Sequence, residues 1–111
     1  MQRFLFGTVF TSTVIVLAAL AFPFQLRAQD DAAKVYKTNC ALCHSADGSG
    51  DSPTGKALKA KDLRSAEVQS KSDADLAGII SKGAGKMPAF GAKLRPDAIN
   101  SLVAYIRALK K

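Results

Sequence analysis

Two cysteines and the chain's only histidine lie together as Cys40-Ala41-Leu42-Cys43-His44. A C-x-x-C-H run is the pattern of a covalent haem attachment site. The two thiols add across the two vinyl groups of one porphyrin. Two intervening residues let both sulfurs point to the same side of a turn. His44 follows directly and reaches the iron as an axial ligand. Iron held by His on one side and Met on the other is an electron-transfer arrangement. The chain has two methionines, Met1 and Met87. Met1 belongs to an apolar leader, so a six-coordinate His/Met iron would have His44 and Met87 as its ligands.

Met87 stands in Gly83-Ala84-Gly85-Lys86-Met87-Pro88-Ala89-Phe90-Gly91. Glycines on both sides let backbone approach a flat cofactor, and Pro88 fixes the local chain without help from helix packing. Two other readings stay open on these residues alone. One is a redox dithiol, for which C-x-x-C is also a mark; it explains neither His44 nor the Gly/Pro-framed Met. The other is a haem enzyme or gas sensor with a labile Met87. That reading needs a distal acid or base, and none is evident among scattered carboxylates. The expected function is therefore non-enzymatic.

The 111 residues suffice for one domain. The leader begins with Arg3, runs apolar from Phe4 to Phe22, breaks at Pro23 and ends in Leu26-Arg27-Ala28. This is the layout of a cleaved secretory signal peptide. Residues 1–28 are assigned to it and 29–111 to the domain, which implies export to a bacterial periplasm. The alternative is an anchor through residues 4–22 facing the same compartment, since about 20 apolar residues span a bilayer.

Between Asp30 and Cys40, Ala32, Val35, Tyr36 and Cys40 recur at helical spacing. That helix delivers Cys40 to the haem. The stretch from His44 to Gly55 is expected to be a loop, with short helical turns over Lys56–Ala60 and Ser65–Gln69. Ser72 reads as an N-cap with Asp73 and Asp75 in the first turn, and Gly83 as the stop of that helix. Pro96 opens a last helix with an apolar stripe of Ile99, Leu102, Val103, Ile106 and Leu109. No alternating strand pattern occurs.

Together these features resemble the small soluble class I c-type cytochromes, of the short-chain bacterial and photosynthetic type. The resemblance rests on Cys40-x-x-Cys43-His44, Lys86-Met87-Pro88-Ala89-Phe90-Gly91 and the Leu102-Val103-Ala104-Tyr105-Ile106 helix, and covers nearly the whole mature chain. It implies an all-α fold of three main helices and short turns around one haem c. It implies a mobile one-electron carrier with His44 and Met87 on the iron and Cys40 and Cys43 on the porphyrin. It further implies that the first and last helices cross at Ala32, with Tyr36 and Tyr105 packed together. By the same resemblance, the Pro53 carbonyl accepts the proton on the other ring nitrogen of His44. Arg95 departs from the family's usual Ser or Thr cap.

Sixteen basic residues face nine acidic ones. With Arg3 and Arg27 removed in the leader, the mature chain keeps a net charge of about +5. Export argues against nucleic acid. Acidic docking surfaces on redox protein partners fit the charge, with the chain a monomer and, once the leader is cut, not held in a membrane. Lys56, Lys59, Lys61 and Arg64 form one basic cluster, and Lys82, Lys86 and Lys93 flank the Met87 loop.

Overall fold

The computed structural model describes residues 31–110. The leader, its cut after Ala28 and the start of the first helix at Asp30 lie outside them. Helix α1 covers 31–39. It is followed by α2 (Ala41–His44), α3 (Pro53–Leu58), α4 (Ala66–Gln69), α5 (Asp73–Lys82) and α6 (Pro96–Ala108). Among the described residues there is no strand, only one isolated bridge between Ala84 and Met87. Three longer helices and three short ones thus make the all-α architecture expected from the sequence.

Local chemistry sets most of the boundaries. Ser65 and Ser72 each accept a backbone N–H three residues on, from Val68 and Asp75, satisfying donors a helix start leaves open. Asp73 and Asp75 complement the positive end of α5. Pro96 sits in the first turn of α6 behind Arg95, which makes no side-chain cap; the Arg95 guanidinium pairs with Asp97 instead, at 3.2 Å. Helix α2, a single turn over Ala41–His44, is not among the expected elements, and α3 starts earlier than expected. It begins at Pro53, inside the expected loop, because Ser52 caps Gly55 N–H at 3.0 Å and proline is suited to the first helical position. Lys59 ends α3 in the left-handed region at φ 55°.

The core joins α1, α4, α5 and α6. Tyr36, Val68, Leu76, Ile80, Ile99, Leu102, Val103 and Ile106 are buried in one cluster with Leu63. Helix α5 packs on α6, and α2 on α3. Ala32 is buried at the start of α1, and the Tyr36 ring meets Tyr105 of α6 with centroids 4.8 Å apart and planes tilted by 37°. The aromatic contact between first and last helices therefore forms as expected. Arg107 locks α6 to the connection before α5. Its guanidinium donates to the carbonyls of Gln69 and Lys71 and pairs with Asp73.

Candidate haem site

Helix α1 ends where the cysteine motif begins. Cys40 N–H donates to the Tyr36 carbonyl at 2.8 Å, and His44 N–H donates to Cys40 at 2.9 Å. One continuous hydrogen-bonded run thus carries both cysteines and the histidine. Neither thiol is in a disulfide, and both are partly buried. Burial, and secondarily Cys43 nearby, pushes the Cys40 thiol up to about 11. It is therefore a neutral S–H at neutral pH, a poor nucleophile for disulfide closure.

The loop after His44 is tied back onto the motif. Gly50 N–H donates to the His44 carbonyl at 2.8 Å. The Ser52 hydroxyl donates to the Leu42 carbonyl at 2.7 Å. Gly55 is buried so close to the motif that a Cβ would lie 2.1 Å from the Cys43 carbonyl oxygen and 2.5 Å from that of Gly50. Both obstacles are backbone and cannot swing aside. Gly55→Ala is expected to push α3 off the haem-binding turn and lower the yield of haem-loaded protein severalfold, with a loss of at least about 2 kcal/mol in stability. Haem absorbance per milligram and a guanidinium melt check it.

The His44 ring corrects one expectation. Its Nδ1 lies 3.0 Å from the carbonyl oxygen of Lys61, not that of Pro53. Pro53 is the first residue of α3. A carbonyl can only accept, so Nδ1 carries the proton and Nε2 keeps its lone pair for a metal. Such a bond fixes the ring and raises ligand basicity. No residue type marks a backbone carbonyl as a histidine partner, so the sequence held no signal for Lys61.

Met87 is presented by a second, separately built turn. Ala84 and Met87 exchange both backbone hydrogen bonds, at 3.1 and 2.9 Å, around Gly85-Lys86. Gly85 has φ +54° at the first central position, where such hairpin turns need glycine. The loop then folds back on α5. Phe90 N–H donates to Ile80 and Gly91 N–H to Ser81, both at 3.0 Å, closing carbonyls the helix end leaves open. A Cβ on Gly83 would meet the Met87 carbonyl oxygen at 2.7 Å, and one on Gly91 the Ser81 hydroxyl at 2.6 Å. Met87, Phe90, Leu94, Cys40 and Ala41 all pack, partly buried, against the same core cluster.

The donor set fits a haem: two free thiols, an imidazole with Nε2 available, a thioether on a rigid loop and apolar surroundings. Among the described residues, no group of three or more His, Cys, Asp or Glu side chains could hold a bare metal ion.

Comparison with known proteins decides the family. The model of the family described as cytochrome C oxidase, cbb3-type, subunit III matches residues 27–106. The chain belongs to the class I c-type cytochromes. Cytochrome c6 of Pyropia yezoensis is 35% identical over 99 residues, covering 89% of this chain and 84% of its own. Cytochrome c6 of Nostoc sp. is 35% identical over 94 residues, covering 83% and 82%. The solved KustC0563 c-type cytochrome superposes with a TM-score of 0.68 at 34% identity, over 73% of this chain and 99% of its own. As a small monohaem cytochrome of this class, the chain carries one electron at a time between larger redox proteins. The haem c, when bound, supplies the iron redox couple; the protein supplies attachment, ligands and a low-polarity wall.

The surface charge differs from a count along the sequence. Lys61 pairs with Glu67 at 2.9 Å, and Arg64 with Asp62 at 3.0 Å and Asp47 at 3.6 Å. The hydrogen bonds it donates to the Asp62 carboxylate hold the Arg64 guanidinium above its usual range. Two members of the expected basic cluster are thus already matched. Lys56 and Lys59 remain exposed beside them, as do Lys82, Lys86 and Lys93 around the Met87 loop.

Proposed function

We propose that Cys40 and Cys43 hold one haem c by thioethers, that His44 and Met87 are its axial ligands, and that the chain is a diffusing electron carrier rather than an enzyme. The observation that carries the ligand reading is the His44–Lys61 bond. It leaves Nε2 as the free donor on the motif, while a separately braced loop offers the chain's only methionine outside the leader. With both axial positions filled by protein, no coordination site is left for substrate. The proposed compartment is the periplasm, reached through a leader cleaved after Ala28. Among the described residues, no helix is long and apolar enough to cross a membrane.

Partners are proposed to be redox proteins with acidic docking faces. Lys82, Lys86 and Lys93 are exposed near Met87 and make no ion pair among the described residues. In sequence they flank Ala89 and Phe90, the proposed apolar centre of the contact. A carrier needs fast arrival and fast release, so charge steering over a small contact suits it better than tight binding. Steering weakens as the Debye length falls from ~10 Å at 0.1 M salt to ~3 Å at 1 M. Stopped-flow electron transfer to an acidic partner is therefore expected to slow steeply with salt. Lys82→Glu or Lys86→Glu should slow association about tenfold, and Lys110→Glu, at the far end of α6, much less. A rate flat in salt, or equal losses from all three reversals, overturns the basic docking face.

A further inference from the structure

The residue after His44 has an unusual backbone. Ser45 sits at φ 65°, ψ 162°, a region populated almost only by glycine. A serine persists there only when its surroundings over-determine it. Three hydrogen bonds do so. Ser45 N–H donates to the Ala41 carbonyl at 2.9 Å. The Ser45 hydroxyl accepts Ser52 N–H at 2.9 Å. The Ser45 carbonyl accepts the Tyr36 hydroxyl at 2.7 Å.

The third bond is the informative one. Tyr36 is buried to 2% exposure, with its ring against Tyr105. A phenylalanine would serve that packing equally well and would not bring a polar hydroxyl inside. The hydroxyl is spent on one acceptor, the carbonyl directly following His44. Meanwhile Gly50 N–H holds the His44 carbonyl at 2.8 Å. The peptides on both sides of the turn are thus pinned, and the ring meets the Lys61 carbonyl from a backbone with no slack.

We propose that Tyr36 is a positioning residue for the His44 ring, acting through the strained Ser45 peptide. This rests on the reading of His44 as the axial ligand. The hydroxyl holds Ser45 in its glycine-type conformation, and that conformation sets the angle at which Nδ1–H meets Lys61. Through that bond it tunes the basicity of Nε2 toward iron.

The test uses the exported, haem-loaded chain and four variants: Tyr36→Phe, Ser45→Gly, Ser45→Ala and Tyr36→Phe with Ser45→Gly. Releasing the hydroxyl loosens the His44–Lys61 bond, makes the imidazole less basic and favours the ferrous state. Tyr36→Phe is expected to raise the reduction potential, about threefold in the reduced-to-oxidised ratio at fixed applied potential, and to move the His44 ring resonances of the ferric protein. In the Ser45→Gly background the chain adopts the turn freely, so the same substitution should shift the potential much less. Ser45→Gly should also be more stable than Ser45→Ala, by about tenfold in the folding equilibrium, the reverse of the usual order. An unmoved potential and unmoved His44 resonances in Tyr36→Phe, or an equal shift in both backgrounds, would overturn the proposal alone. Absence of iron-shifted His44 resonances in the unsubstituted protein would overturn the ligand reading and the proposal with it.

Discussion

Met87→Ala is expected to abolish the sulfur-to-iron charge-transfer band of the ferric protein, lower its potential and open the ferrous iron to carbon monoxide. Thioether ligation favours the ferrous state, and axial ligands as a group move haem potentials over ~0.8 V. A fall of a few tenths of a volt is the expected scale, about a third of that span. No second methionine can take over, because Met1 is the only other one. The loop itself should survive the change. Its shape comes from the Ala84–Met87 backbone pair, the bonds of Phe90 and Gly91 to the end of α5, and Gly83 and Gly85. The lesion is therefore electronic rather than a collapse of the site, and unchanged far-ultraviolet dichroism should accompany it. A charge-transfer band that persists in Met87→Ala would refute the ligand assignment.

The double substitution Cys40→Ala, Cys43→Ala should remove covalent haem altogether, while Cys40→Ala alone should leave one thioether and a low yield. The two cysteines are not equivalent in setting. Cys40 is packed against the core, and its burial holds the thiol up to about 11. With the thiol protonated at rest, thioether formation would be a net addition of S–H across a vinyl group, sulfur to one carbon and hydrogen to the other, with no oxidant required; the attacking sulfur would be the thiolate form. The same protonation slows oxidation to the Cys40–Cys43 disulfide, the competing fate of a C-x-x-C pair outside the cytoplasm. A haem-stained denaturing gel reads the result directly. Stain retained by the double variant would mean that these thiols do not attach haem.

How far the sequence carried depends on whether a feature is local. Ser72 and Pro96 announced their helices because a cap and a first-turn proline each act on backbone within two or three residues. Tyr36 and Tyr105 pointed to a helix contact through their spacing and family position, and their rings do meet. The misplaced start of α3 has a clear cause. Gly55 reads as a loop residue, yet the Ser52 cap and Pro53 start a helix that runs through it, and its missing side chain lets that helix lie against the Cys43 carbonyl.

Features made by the course of the chain in space were not legible. The His44 partner is a backbone carbonyl seventeen positions away, and any residue type could have supplied it. Pro53 was the residue that family position suggested, but it stands at the mouth of α3. The basic cluster looked uniform along the chain until Glu67 and Asp47 came within reach of Lys61 and Arg64. Such exposed pairs contribute little to stability, roughly 0–1 kcal/mol each, but they change which cations are free to steer a partner. The Tyr36–Ser45 bond was hidden for a similar reason. Tyrosine and phenylalanine fill the same core position, and only the fold shows where the hydroxyl goes.

The central claim is that this chain holds one haem by two bonds to its own cysteines. The intact mass of the chain, exported alongside a haem-attachment system, tests it most directly. The expected mass is that of residues 29–111 plus a single haem, retained after denaturation in acid. An unmodified polypeptide mass, under conditions where a control cytochrome matures fully, would contradict it.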